Sequence, residues 1–172
     1  MKKTTAERDP QAVTQLRDLI QDIEVAMLTT VTPDGALRSR PMATQQMAGE
    51  GELWFFLADD SGKARDLASE QAVNVSYADA ERHRYVSVTG NATVLHDREK
   101  AEQLWKPGME RFFPQGIEDP RLALMVVRIE TAEYWDATAG RMKPLSGGPP
   151  GGQGHVDTAH TQIDIRATPA SG

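Results

Sequence analysis

The chain contains no cysteine. Disulfides, thiolate metal sites, iron–sulfur clusters and cysteine nucleophiles are therefore excluded. A cysteine-free chain suits a reducing compartment, and a cytoplasmic location is expected. Aromatic residues are scarce, at 6% of the sequence. No apolar run approaches the ~18 residues that a membrane helix requires, so no membrane association is expected. The opening MKKTTAERDP lacks the apolar stretch of a secretory signal. Positive charge is in deficit: 19 Lys+Arg face 25 Asp+Glu, for a net charge of −6. A nucleic-acid binder, which must neutralise many phosphates, does not fit that balance. A local cationic pocket for one small phosphorylated ligand does.

Several chemical signatures are also missing. There is no phosphate-cradling Gly-Lys-Ser/Thr loop, no Gly-x-Gly-x-x-Gly after a strand and no Gly-x-Ser-x-Gly elbow. The histidines are His83, His96, His155 and His160, and no two share metal-ligand spacing on one helix. No metal site and no catalytic triad are expected.

What is present reads as one domain over residues 1–145 followed by a tail. The 172 residues suffice for a core that hides roughly 70% of the unfolded surface. From 146 to 172 the composition shifts to six Gly, three Pro and only three charged residues. Such a segment reads as linker and disordered tail; the alternating Ile163 and Ile165 form a short strand-like piece, and the alternative is a strand or arm laid on a neighbouring subunit.

In the body, Asp9-Pro10 marks a helix start, with Val13, Leu16, Ile20 and Ile23 on one stripe. Residues 25–32 read as a strand, Pro33-Asp34-Gly35 as a turn and 36–46 as the returning strand. Further strands are predicted over 53–58, 72–77, 84–95, 122–129 and 132–136, with Gly90 as a bulge or bend. Helices are predicted over 63–70 and after Asp97. Six or seven strands, mostly hairpin-linked, point to a mainly β fold: a small antiparallel barrel with peripheral helices.

Two stretches could hold an anion. In Arg38-Ser39-Arg40-Pro41-Met42, strand alternation puts Arg38, Arg40 and Met42 on one face. That face is either an anion site or simply solvated. In Asp59-Asp60-Ser61-Gly62-Lys63 a strand hands over to a helix whose first N–H groups can receive phosphate. The plainer alternative is that Ser61 only caps its own helix. Trp54, Phe55 and Phe56 are contiguous and must face alternate sides. Trp105 and Trp135 stand where a ring face could serve a planar ligand.

The order of these pieces is more specific than any one of them. A helix, a strand, the Pro-Asp-Gly turn, Arg-x-Arg-Pro-Met, Leu-Trp-Phe-Phe, a Ser-x-Lys helix start, then Val-x-Val-x-Tyr and Tyr-Val-x-Val-x-Gly strands follow in turn. Leu104-Trp105-Lys-Pro, Phe112-Phe113-Pro, Asp119-Pro120 and Glu133-Tyr134-Trp135-Asp136 come later. Over about residues 12–137 the series resembles the flavin-binding split-barrel superfamily of pyridoxamine 5′-phosphate oxidase, and most closely its general stress protein branch. The resemblance implies a homodimer of split barrels with a flavin at the subunit interface. Arg40 would then meet the flavin phosphate or ribityl chain. Ser39, Pro41 and Met42 would line the ring, and Phe55, Phe56 and Leu57 would form a strand wall. Ser61 and Lys63 would hold the phosphate, while Tyr85 and Trp135 would approach from the second subunit.

FMN is the expected cofactor, with FAD and deazaflavin as alternatives, and a nicotinamide coenzyme is the candidate electron donor. The sequence departs from the oxidase pattern at Gly62, where a cation is missing, at Gln45, where a basic residue is replaced, and in the tail, which has no Arg-x-His segment. True pyridoxamine phosphate oxidation is therefore not expected. The functional expectation is a flavin-dependent oxidoreductase with a general stress role. The rivals are a non-catalytic flavin carrier or sensor and a cofactor-free scaffold.

Overall fold

The structure, a computed structural model, describes residues 9–48, 51–136 and 160–164. Among these residues three helices and eight strands follow in order: α1 (Pro10–Ile20), β1 (Val25–Val31), β2 (Leu37–Ala43), β3 (Gln46–Ala48), β4 (Glu52–Ala58), α2 (Gly62–Ser69), β5 (Ala72–Asp79), β6 (Arg84–Leu95), α3 (Arg98–Leu104), β7 (Leu122–Asp136) and β8 (His160–Asp164). Two short 3-10 turns, Met109–Arg111 and Gly116–Glu118, separate α3 from β7. No helix among the described residues is long and apolar enough to cross a membrane.

Local chemistry sets the element boundaries. Asp9 caps α1 by accepting from the N–H groups of Gln11 and Ala12, and Pro10 sits in the first turn where its missing donor costs nothing. Val13, Leu16 and Ile20 bury the predicted stripe. The Gly35 N–H donates to the Thr32 carbonyl, closing the turn, and Gly35 adopts a φ of +87°.

All strands belong to one antiparallel sheet in the order β2-β1-β5-β6-β7-β4-β3, with β8 on the free part of β7. The two outermost strands, β2 and β3, are consecutive in the chain. At their junction the Thr44 N–H donates to the Glu24 carbonyl beside β1, and the next N–H, that of Gln45, donates to the Trp54 carbonyl in β4. Neighbouring residues thus bond to opposite ends of the sheet, so the sheet has to curl into a barrel that is sealed at 44–45. Beyond that seal β2 and β4 leave a seam. The expected antiparallel split barrel is the fold observed, with differences of detail. The predicted strand 36–46 breaks at 44–45 to change edges, which adds β3.

The predicted strands 122–129 and 132–136 are one continuous β7. The register shifts opposite Gly90, where Thr89 pairs with Thr131 and Gly90 with Ile129, so Glu130 is the extra bulge residue. The tail contains a strand: β8 pairs its five residues with Thr131 to Trp135 of β7 in the same chain. The disordered-tail reading is therefore corrected for 160–164. The physical reason is that β4 runs only beside Leu122 to Arg128, leaving the upper edge of β7 without a ladder partner. The Gly/Pro-rich linker and the chain beyond 164 lie outside the described residues.

β4 is buried on both faces, which explains its unbroken apolar run. Leu53, Phe55 and Leu57 enter the barrel core, with Val75, Val88, Met125 and Val127 among its members. Phe56 faces outward into a second cluster with Ala101, Leu104, Phe113 and Leu124. Phe56 meets Trp105 edge-on, with ring centroids 5.7 Å apart, and Phe113 at 6.4 Å. This second cluster fastens α3 and the 3-10 turns to the barrel wall beside the seam.

Gly90 tests the packing. A Cβ there would lie 2.3 Å from the Arg128 carbonyl oxygen across the bulge, and that oxygen is backbone, which cannot rotate away. Gly90→Ala is expected to destabilise the barrel by ~1–3 kcal/mol, lowering the melting temperature by about 2–4 °C per kcal/mol. Thermal unfolding followed by circular dichroism checks this, and an unchanged transition would refute the close approach.

Candidate functional site

A cleft of about 460 Å³ opens at the seam. Pro41, Met42 and Ala43 of β2 form one wall, and Phe56, Leu57 and Ala58 of β4 the other. Ser61 and Lys63 stand at the start of α2, and Met109, Phe112 and Phe113 of the 3-10 segment close a further side. Val25, Gln45 and Arg121 complete the lining. The wall is mostly apolar, with cationic groups where α2 begins.

Each wall has a local cause. Among the described residues β2 pairs only with β1, so its other backbone edge has no strand partner there and borders the seam. An edge position also tolerates Pro41, which has no N–H for a ladder. Alternation sends Met42 inward, 7% exposed, and leaves Ser39 and Pro41 on the outer side. Ser61 caps α2 by accepting from the Ala64 N–H at 3.3 Å. That cap leaves the N–H groups of Gly62 and Lys63 unclaimed at the cleft, where the helix end favours an anion.

Arg40 reaches the same place from β2. A Cβ placed on Gly62 would lie 3.7 Å from Arg40 Nη2 and 3.8 Å from Arg65 Nη2. The cation absent from position 62 is therefore matched by two guanidinium groups nearby in space. Arg40 donates from Nη1 to Thr30 Oγ1 and from Nη2 to Asp66 Oδ2, both at 2.7 Å. Arg65 donates to the Asp60 carbonyl, and Arg121 pairs with Asp119 at 3.0 Å. Lys63 differs: among the described residues no carboxylate lies within ion-pair distance of it. Its ammonium is partly buried, and burial, with the Arg40 charge second, pulls its pKa below the usual lysine value.

Of the residues singled out in the sequence, Pro41, Met42, Phe56, Leu57, Ser61 and Lys63 line this cleft together, with Arg40 at its cationic end. The others lie elsewhere in the chain. Ser39 is on the outer face, hydrogen-bonded to Thr29 at 2.7 Å. Phe55 is in the barrel core, fully buried. Tyr85 and Trp135 are cross-strand neighbours on β6 and β7 and do not line the cleft. Met109, Phe112, Phe113 and Arg121 were missed as wall residues. The only signal for them was the aromatic pair inside a Gly/Pro-bracketed irregular stretch.

The Arg40–Asp66 pair makes stability depend on pH. The Arg40 hydrogen bond, opposed by burial and aided by Thr30, holds the Asp66 carboxyl below its ordinary value of 3.8. A depressed carboxylate stabilises the fold above its unfolded pKa, and that contribution is lost as pH falls through the folded value. Asp66→Asn is expected to melt below wild type at neutral pH. The gap should narrow on acidification below about pH 4. Melting curves across that range decide it, and a gap independent of pH would contradict the ionised pair.

Comparison with known proteins agrees with this architecture. Residues 11–147 match the sequence profile of the family described as pyridoxamine 5′-phosphate oxidase like. Protein bli-3 of Neurospora crassa is 29% identical over 134 residues, which cover 72% of this chain and 64% of that protein. The chain thus spans less than two thirds of that relative. A Clostridium acetobutylicum protein related to general stress protein 26 superimposes with a TM-score of 0.65 at 20% identity, over 78% of this chain and 94% of the other. The general stress FMN/FAD binding protein of Xanthomonas citri gives a TM-score of 0.64 at 22% identity, over 85% of this chain and 100% of the other. The profile match spans the barrel from α1 through β7, and the chain belongs to the pyridoxamine 5′-phosphate oxidase-like family.

Proposed function

We propose that this protein is a homodimeric, flavin-dependent oxidoreductase that binds FMN in the seam between β2 and β4. The observation that carries the reading is Lys63, a half-buried cation without a carboxylate partner among the described residues, at one end of a mostly apolar cleft. Such an ammonium calls for an anion from outside the chain. Ser61, the free N–H groups of α2 and Arg40 surround the same spot, which suits a terminal phosphate. Met42, Leu57, Phe112 and Phe113 offer the apolar walls that a planar ring system needs. The unpaired backbone edge of β2 supplies donors and acceptors for the polar rim of that ring.

When bound, the flavin would supply the two-electron chemistry, accepting hydride at its N5 atom. The chain's part is to fix the phosphate, orient the ring and exclude water. No acid–base side chain is required. Family membership supports a flavin-type ligand, as does the likeness to the Xanthomonas FMN/FAD binding protein. FAD and deazaflavin present the same phosphate chemistry, and mass analysis of the released cofactor separates them from FMN. A nicotinamide coenzyme is the proposed donor, and stopped-flow reduction by NADH or NADPH distinguishes an oxidoreductase from a carrier. The general stress role belongs to the same reading, supported by the Clostridium and Xanthomonas relatives.

The outer sheet face favours a second copy of the chain as partner. Residues of β2, β1, β5, β6 and upper β7 alternate outward there, and among the described residues the charged side chains on this face are Glu133 and the bulge residue Glu130, which accepts from Asn91. In a chain with 26% charged residues that depletion is the mark of an interface core. Val25 is 53% exposed, Met27 42%, Leu37 73% and Tyr85 38% on this surface. A dimer closing over it would bring the partner's Tyr85 and Trp135 toward the seam.

Two outcomes follow. Each charge-assisted hydrogen bond contributes roughly 1.5–3 kcal/mol, so Lys63→Ala should weaken FMN binding about ten- to a hundredfold. Riboflavin, which lacks the phosphate, should bind poorly and ignore the substitution. Flavin fluorescence titration measures both, and an unaltered FMN affinity in folded Lys63→Ala rejects the phosphate assignment. Light scattering should give about twice 18.9 kDa, with an interface above ~1,000 Å². Met27→Glu should reduce the mass to that of a monomer and impair flavin retention. A Met27→Glu dimer with full flavin would place the interface elsewhere.

A further inference from the structure

Asp66 is a buried carboxylate, 3% exposed, for which binding and hydride chemistry have no direct use. It lies one turn along α2 from Gly62, on the same side of the helix. Its Oδ2 accepts from Thr30 Oγ1 at 2.8 Å and from Arg40 Nη2 at 2.7 Å. Arg40 Nη1 in turn donates to Thr30 Oγ1 at 2.7 Å. The three side chains close a ring of hydrogen bonds that joins β1, β2 and α2. Thr30 is fully buried, so its hydroxyl has no solvent alternative.

We propose that Asp66 is a positioning residue for the ligand phosphate: with Thr30 it clamps the Arg40 guanidinium so that the donors left over face the start of α2. The proposal rests on the phosphate-binding reading above and adds its supporting part. A guanidinium carries five N–H donors in a rigid fork. Two are spent on Thr30 and Asp66, which leaves three for a ligand. An unclamped arginine would have to be ordered at the moment of binding; a clamped one already is.

Two effects of Asp66 oppose each other, and they differ in sign. As a negative charge it repels a phosphate. As a clamp it favours one. If the charge dominated, removing it would tighten FMN binding. The closed geometry argues for the clamp, because Arg40 screens Asp66 from the α2 start and both partners of the carboxylate are fixed by the barrel.

The test compares FMN with riboflavin on the full-length protein stripped of flavin, by fluorescence titration with circular dichroism as the folding check. A general packing defect would weaken both ligands, whereas a misplaced Arg40 weakens only FMN. Asp66→Ala is expected to lower the FMN-to-riboflavin preference about tenfold and leave riboflavin unchanged. Asp66→Asn, whose oxygen can still accept from Arg40 and Thr30, should restore most of the preference. Adding Asp66→Ala to Arg40→Ala should cost nothing more. Thr30→Val removes only the hydroxyl link and should move the preference in the same direction, which decides the matter if Asp66→Ala does not fold. A preference that stays at the wild-type level or rises in Asp66→Ala and Thr30→Val overturns the clamp. If wild type itself does not prefer FMN, the phosphate site falls and the clamp with it. If wild type prefers FMN and the variants do too, only the role of Asp66 falls.

Discussion

Two consecutive backbone donors determine the shape of this molecule. Thr44 bonds back to the β1 side and Gln45 bonds forward to β4, so the two ends of the sheet are held one residue apart. A twisted sheet with that tie cannot stay open. Yet the tie is short, and it holds only one point of the perimeter. Away from it β2 keeps a free edge, because the chain has spent its next strand, β3, on the far side of the seal. Seal and cleft are therefore consequences of the same turn. A longer β2–β3 connection would relax the barrel, and a fully paired β2 would abolish the seam.

Much of this was legible in the sequence where local chemistry dictates structure. Asp9-Pro10, Asp97 and Ser61 act as caps because their side chains reach N–H groups only two or three residues away. Gly90 signalled a bulge because no other residue fits against the opposite carbonyl. The cationic cleft end could be assembled from β2 and α2 by recognising the order of motifs, since neither stretch alone separates an anion site from a solvated face. Local pattern failed where partners are distant. The break at 44–45 carries no Gly or Pro, and only the closure of the sheet reveals it. For β8 the alternation of Ile163 and Ile165 hinted at a strand, but its partner, the unpaired edge of β7 in the same chain, left no local signal. Phe55 and Phe56 look alike in sequence, yet one fills the barrel and the other anchors α3 and the 3-10 turns, because β4 is covered on both sides.

The pairing of Arg40 with Asp66 was invisible for a related reason. Their separation of 26 positions has no periodic signature, and nothing in the sequence marks Asp66 as the buried carboxylate of its helix. The structure also changes what Arg40 means. Read alone, it is a free cation awaiting a ligand. In the fold it is half committed, and Lys63 carries the uncompensated charge. At the cationic end Arg40 and Asp66 neutralise each other, so the partly buried Lys63 leaves a net positive charge there, although the chain as a whole carries −6. A single partly buried charge of that kind selects an anionic group at one point without turning the surface basic.

β2 is the strand on which the proposed binding and assembly converge. Its inward residues, Arg40 and Met42, serve the cleft, while its outward residues, Leu37 and Ser39, belong to the charge-poor outer face. Pleating separates the two roles by one residue. Register therefore matters more here than anywhere else in the sheet: a slip of one position would turn Arg40 outward and Ser39 toward the seam. Two devices oppose such a slip. Seven consecutive pairs with β1, from Val25–Ala43 to Val31–Leu37, fix β2 along its whole length. The Arg40–Thr30–Asp66 ring then pins its middle to α2. In the proposed dimer, anything that frees β2 from α2 would disturb the outer face along with the cleft, so ligand binding and subunit association would be coupled through this one strand rather than through a distant path.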